Sequence, residues 1–236
     1  MRSIRVHMAL AALLIGTVGA QAADLSAPMP VKSPPAVPAF SWTGLYLGAH
    51  LGYGWSRTTY SDATLPGWQL VNRPDGILGG GQIGYNHQFG AVVLGIEADI
   101  SATGIDGTTY DVAPFAGDRY RDHLKWTATV VGRIGYAFDR ALIYVKGGAA
   151  FAHADHEYQW IGTTAVATGD RNPSGWTVGG GLEYALAPNW SVRVDYSYLE
   201  LDKRGVDLVE PSYAWVADAE QAVHAVKVGI NFRPWP

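Results

Sequence analysis

Eight charged residues stand inside segments that otherwise alternate as apolar β-strands. They are Glu97, Asp99, Glu183 and Asp195, with Arg133, Lys146, Arg193 and Lys227. Four acids and four bases in such places can form ion pairs, line a path for ions or solutes, or do acid–base chemistry. Their equal numbers favour pairing, because a buried ion costs several kcal/mol unless it is matched. Two other patterns carry weaker chemistry. Gly79-Gly-Gly-Gln-Ile-Gly84 has the spacing of a dinucleotide loop, but that loop must open a helix, and here Tyr85 to Phe89 continue a strand. His153, Asp155 and His156 are metal-ligand types. In an extended chain His153 and Asp155 share a face while His156 points away, so no metal site is expected. His224 falls on an apolar face without an acid or serine partner in sequence, and no catalytic triad is assembled.

The elements that position these charges are read from parity. In Val92 to Ser101 the even positions are Val92, Leu94, Ile96, Ala98 and Ile100, while Glu97, Asp99 and Ser101 are odd. A strand sends successive side chains to opposite faces, so this one is apolar on one side and charged on the other. The pattern recurs in about eight segments: Leu45–Trp55, Gly76–Phe89, Val92–Ser101, His123–Phe138, Ala141–Ala154, Gly175–Leu186, Asn189–Leu201 and Gln221–Arg233. In the fourth, Lys125, Thr127, Thr129 and Arg133 oppose Trp126, Ala128, Val130 and Ile134. In the first, Gly44, Tyr46, Gly48, His50, Gly52 and Gly54 oppose the apolar face, and the many inward glycines relieve crowding.

Connections alternate in length. Gly90-Ala91, Asp139-Arg140 and Ala187-Pro188 are short turns; Ser56–Asp75, Thr103–Asp122, Asp155–Ser174 and Asp202–Glu220 are long polar loops. Short turns at one rim and long loops at the other mark a transmembrane β-barrel, with turns in the periplasm and loops outside. Aromatic residues gather at both ends of the apolar face. Phe89, Tyr136, Tyr184, Trp190 and Phe232 lie toward the turns, and Trp55, Trp126 and Trp176 toward the loops, as two interfacial girdles.

Composition agrees. Charged residues make up 16% of the chain, below the roughly 25% of soluble domains. The net charge of −4 gives no basic field for nucleic acid, and the absence of cysteine excludes disulfides and thiolate chemistry. Residues 1–22 read as a signal peptide: Arg2 and Arg5 lead, Met8 to Val18 is apolar, and Ala20-Gln21-Ala22 is the cleavage motif. Residues 23–40 are proline-rich and read as a periplasmic tether, with a ligand for peptidoglycan as the alternative; residues 41–236 form the barrel domain.

The apolar face could line a soluble core or meet lipid. A soluble exterior carrying so few charges would be mostly glycine and small polar groups, whereas a narrow eight-stranded interior accommodates a compact balanced set. The lumen is therefore expected to be plugged by the charge network.

Phe40-Ser-Trp-Thr-Gly-Leu-Tyr-Leu-Gly48, Gly132-Arg-Ile-Gly-Tyr-Ala-Phe138, Gly175-Trp-Thr-Val-Gly-Gly-Gly-Leu-Glu-Tyr184 and Asn189-Trp-Ser-Val-Arg193 resemble the small outer-membrane β-barrel proteins of alphaproteobacteria, called porin-family or outer-membrane immunogenic proteins. The resemblance covers Phe40 to Phe232. It implies an eight-stranded antiparallel up-and-down barrel, surface antigenicity, a role in envelope integrity, and, in some members, haem binding, for which a surface histidine with Tyr158 and Trp160 is the candidate here. Such barrels end on an aromatic residue read by the barrel-assembly machinery; here Phe232 or Trp235 fills that place. The expected partners are outer-membrane lipid and lipopolysaccharide, with host contacts left open. No cofactor and no enzymatic activity are expected, and a small channel for ions or solutes is the alternative function.

Overall fold

The computed structural model describes residues 40–61, 69–111, 117–162, 166–210 and 213–234; for 170–171, 203–210 and 213–220 it describes the backbone alone. The signal peptide, nearly all of the proline-rich segment and Trp235 lie outside the described residues.

Ten strands follow in order: β1 (Gly44–Ser61), β2 (Gln69–Asn72), β3 (Asp75–Phe89), β4 (Val92–Tyr110), β5 (Arg119–Phe138), β6 (Ala141–Gln159), β7 (Val166–Arg171), β8 (Ser174–Ala187), β9 (Trp190–Glu210) and β10 (Tyr213–Phe232). Every ladder is antiparallel, and β10 pairs with both β9 and β1, which closes the sheet. Eight strands make the barrel wall. The short β2 and β7 attach to β1 and β6 at the loop end.

Parity sorts the side chains as the lipid-facing reading requires. Leu47, Leu51, Ile77, Ile96, Val130, Val145, Leu182 and Val228 are exposed, while their neighbours on the opposite parity are buried. At the turn end Gly90 (φ 62°) and Asp139 (φ 53°) adopt the left-handed conformation that a tight reversal needs. Glycine takes it without steric cost, and aspartate tolerates it better than most residues.

Two expectations are corrected. The four long loops are largely ladder: β1 continues to Ser61, β4 to Tyr110, β6 to Gln159 and β9 to Glu210. Strands of about 20 residues project roughly 50 Å along a tilted barrel, about twice the apolar band. Beyond that band the outward face turns polar, so apolar alternation stops although backbone pairing does not. The second correction concerns Lys125. The register shifts there against both β4 and β6, between Leu124 and Trp126 on the β6 side. One extra residue in a strand reverses its parity beyond the bulge. Lys125 therefore lies exposed outside the barrel, and Leu124 is buried within it.

Candidate functional site: the barrel interior

The interior is layered. At the turn end Trp42 fills the barrel mouth among Val93, Ala137, Leu142, Tyr144 and Ala185, with Phe40 against them. Arg233 stacks on Phe40 and Trp42, with its guanidinium carbon 4.4 and 4.8 Å from the ring centres, and donates to the Ser41 carbonyl at 3.0 Å. Both ends of the barrel domain are thus tied together there.

All eight predicted charges meet in the next layer, and all are buried. Glu97 of β4 is its centre. Arg193 of β9 lies 2.5 Å from it, Arg133 of β5 3.3 Å and Lys146 of β6 3.5 Å, while the Tyr46 hydroxyl donates to it at 2.7 Å. Asp195 accepts from Lys146 at 2.6 Å and from Arg193 Nε at 3.0 Å. Arg133 reaches Glu183 at 3.0 Å with its other nitrogen, and Ser191 and Asn231 donate to the same carboxylate. Lys227 of β10 pairs with Asp99 of β4, which also accepts from Thr129.

The register explains why so many partners are needed. Arg133 and Lys146 stand directly opposite each other across β5 and β6. Like charges so placed repel. Glu97 lies against both, and their second bonds go to Glu183 and Asp195. β4 is not hydrogen-bonded to β9 or β10, so the Glu97–Arg193 and Asp99–Lys227 contacts run across the lumen rather than along the wall.

Inward glycines make the approach possible. A Cβ at Gly95 would stand 2.3 Å from Asn86 Oδ1 and 3.0 Å from Arg133 Cγ, and one at Gly84 would strike the Tyr46 hydroxyl.

Sequence parity put Tyr46 and His50 on the inner face without giving either a role. Tyr46 bridges Glu97 and Arg133, and the Tyr144 ring lies 4.1 Å beneath the Arg133 guanidinium. His50 bonds Gln82 through Nδ1 (2.6 Å) and Ser101 through Nε2 (2.8 Å). The order serine, histidine, amide acceptor has the form of an activated nucleophile. Ser101 is 0% and His50 3% exposed, so no substrate reaches them in this arrangement.

Above the charges lies an apolar layer of Ile105, Leu124, Ala150, Ala152, Ala154, Leu199, Leu201 and Val223. A last layer, beyond the membrane band, packs Tyr60, Leu70, Tyr120, Tyr158 and Ala167 with Trp160. There Tyr60 and His156 bond Asp122, and Asn72 donates to it at 2.9 Å. Burial and a hydrogen bond to Asp118 push the Tyr158 hydroxyl well above the usual phenol range. Tyr158 points inward and is buried, so it offers no surface contact for haem; beyond the apolar band the sequence carries no alternation to mark which residues face inward. His153 and Asp155 share the outer face at 3.6 Å and His156 is buried inside, as extended geometry requires. Among the described residues no cluster of three metal-ligating side chains occurs. The residues Gly79 to Gly84 lie within β3.

The aromatic residues assigned to girdles all belong to the outward parity. Trp190 and Phe232 pack at 4.9 Å and Tyr136 and Phe138 at 4.6 Å toward the turns, while Phe89 and Tyr184 are exposed there. Toward the loops Trp176 meets Tyr198 at 5.5 Å, Trp55 stacks on His224 at 5.4 Å, and Trp126 lies over His153 at 6.2 Å.

Comparison with known proteins agrees with this architecture. Residues 8–233 match the family described as outer membrane protein beta-barrel domain. The chain is 32% identical over 228 residues to a 31 kDa outer-membrane immunogenic protein of Brucella melitensis, covering 91% of this chain and 93% of the relative. It is 30% identical to a 22 kDa outer membrane protein of Rhizobium leguminosarum, with 84% and 81% covered. Among solved structures, the outer membrane protein OprG of Pseudomonas aeruginosa superposes with a TM-score of 0.52 at 11% identity, covering 82% of this chain and 98% of that one. The outer membrane protease OmpT of Escherichia coli gives 0.50 at 9% identity, with 84% and 99% covered; such likeness concerns the fold alone. The chain belongs to the outer-membrane β-barrel family that includes the immunogenic outer-membrane proteins of alphaproteobacteria, and its place is the outer membrane of a Gram-negative cell.

Proposed function

We propose that this protein is a closed-lumen structural barrel that presents its loop-end hairpins at the cell surface as an antigen and contributes to envelope integrity. The observation that carries this reading is the Arg193–Glu97 contact of 2.5 Å across the lumen, joined to Arg133, Lys146, Glu183 and Asp195, beside the Asp99–Lys227 pair and bounded by apolar layers on both sides. A conducting pore needs mobile water beside its charges; here each charge is bonded to an opposite one. The names of the Brucella relatives add support for surface antigenicity.

Planar-bilayer recording tests the reading. Purified protein should give no steady openings across the physiological voltage range. Steady openings abolished by Glu97→Gln or Lys227→Met would overturn it in favour of a small ion channel.

A further inference from the structure

Among the described residues, the exposed arginines and lysines of the loop-end rim are Arg57, Arg73, Arg121 and Lys125, and they divide by whether they hold a carboxylate. Arg121 bonds Asp106 at 2.8 Å, and Lys125 bonds Asp155 at 2.6 Å. Arg57 and Arg73 form no ion pair among the described residues, and both are exposed.

Extending the β1–β2 register by one step sets these two arginines opposite each other. Thr58 pairs with Asn72 on one side of them and Trp55 with Asp75 on the other, and the Ser56 amide donates to the Pro74 carbonyl between. Residues so opposed carry their Cβ atoms about 5 Å apart, and like charges in that position repel. The carboxylate one step inward, Asp75, is engaged by the Tyr53 hydroxyl. Two guanidinium groups that repel each other at the end of an apolar band are arranged to hold one anion between them.

Directly below them is an aromatic shelf, parallel at Trp55 and His224 and tilted by 33° and 53° at Tyr196 and Tyr198. Trp55 stacks on His224 with an interplanar angle of 7°, and Tyr198 and Tyr196 lie 5.0 and 6.1 Å from the same imidazole. Tyr196 also bonds His224 Nδ1 at 2.7 Å, which fixes the ring. Below the shelf the face is aliphatic: Leu51, Val194 and Val228 are exposed. The order from outside inward is therefore cations, then aromatic planes with polar edges and the Asp75 carboxylate beside them, then hydrocarbon.

That order matches one class of molecule. A phosphorylated glycolipid presents phosphate, then a sugar ring, then acyl chains. Aromatic faces at an interface accept the apolar face of a ring while their polar edges stay wet. A second copy of this chain fits badly, because a two-fold contact would bring two arginine pairs toward each other. We propose that Arg57 and Arg73, with the Trp55–His224 shelf, clamp the headgroup of a phosphorylated glycolipid of the outer leaflet. The clamp requires only that this end of the barrel face the outer leaflet, and does not depend on the lumen being closed.

The test uses the full mature chain in detergent micelles, with native mass spectrometry against a graded diphosphorylated glucosamine-disaccharide lipid. Each arginine at a membrane surface contributes about fivefold in affinity, so Arg57→Gln/Arg73→Gln should bind roughly 25-fold more weakly. Replacing the paired cations, as Arg121→Gln/Lys125→Gln, should change binding by less than about twofold. His224→Leu should weaken the glycolipid about threefold and leave phosphatidic acid unchanged. All four residues of the double variants are exposed, and a heat-modifiability gel verifies that each variant folds. Equal binding by the Arg57/Arg73 variant and the native chain overturns the clamp, as does an equal loss in the Arg121/Lys125 variant. Phosphatidic acid bound as tightly as the glycolipid overturns the sugar shelf.

Discussion

Two sets of charges cross the same β-strands, one inside the barrel and one outside it. Inside, Glu97, Asp99, Glu183 and Asp195 pair with Arg133, Lys146, Arg193 and Lys227, all sealed from solvent. Outside, at the loop end of β4, β5 and β6, Asp106, Arg121, Glu157, His123, Lys125, Asp155 and His153 form a ladder with distances that overlap those inside, 2.6 to 3.9 Å. The outer side chains are roughly one-third to one-half exposed, apart from His153. Similar geometry has opposite consequences. An exposed pair exchanges water for a partner at nearly equal free energy. A buried pair has no water to return to, so removing one member strands the other. Pair distance alone therefore says little about which contacts hold the molecule; burial decides.

The largest effect expected from this difference is at Arg193. It bonds both Glu97 and Asp195, and Arg193→Met leaves two carboxylates short of a partner. Breaking a buried pair costs about 3–5 kcal/mol. Urea unfolding in lipid vesicles should show a loss of that size. The comparison is sharpened by Lys227→Met and Lys227→Met/Asp99→Leu. The single variant should be strongly destabilised, whereas the double should recover most of the loss, because well-packed apolar replacements for a buried pair are close to neutral. Failure to recover would mean that Asp99 is needed by Thr129 and His50 more than by Lys227.

Much of this was legible in the sequence, and the reason is period two. One lipid face and one packed interior force strict alternation, so parity alone assigned all eight lumen charges and put every girdle residue outside. Parity fails where its physical cause ends. Past the apolar band the outward face no longer needs to be greasy, and β4, β5, β6 and β9 read as loops although their ladders continue. A bulge is silent in a single sequence, so unbroken parity points Lys125 inward although the register shift turns it outward. Trp42 precedes the first strand, and no periodic signal shows that it turns back to fill the barrel mouth. The opposition of Arg57 and Arg73 depends on β2, a strand of four residues with no alternation long enough to detect.

The apolar layer stands between the two extremes of charge burial. Ile105 is fully buried among Leu124, Leu199, Leu201 and Val223. Ile105→Ala removes transfer free energy and leaves a cavity, at a cost of about 2–4 kcal/mol. The same urea transition should report it. If the layer also excludes water from the charges beneath, amide hydrogen exchange should rise at Asp99 and Ser101 on β4. Unfolding at lower urea without faster exchange there would separate packing from sealing.

The smallest effect belongs to the outer ladder. Arg121 forks onto Asp106 and approaches Glu157 at 3.9 Å, and the hydrogen bonds it donates to Asp106 hold its guanidinium above the ordinary arginine range. Its side chain is nonetheless 46% exposed, so the upward direction does not translate into fold stability. Arg121→Ala should move the urea transition only slightly, and the shift should shrink further when salt is raised to about 1 M, where the screening length falls to roughly 3 Å. Arg193→Met should keep its full penalty at that salt, because salt screens a buried pair far less than an exposed one. An Arg121 loss as large as that of Arg193, or one insensitive to salt, would break the distinction between the two charge sets.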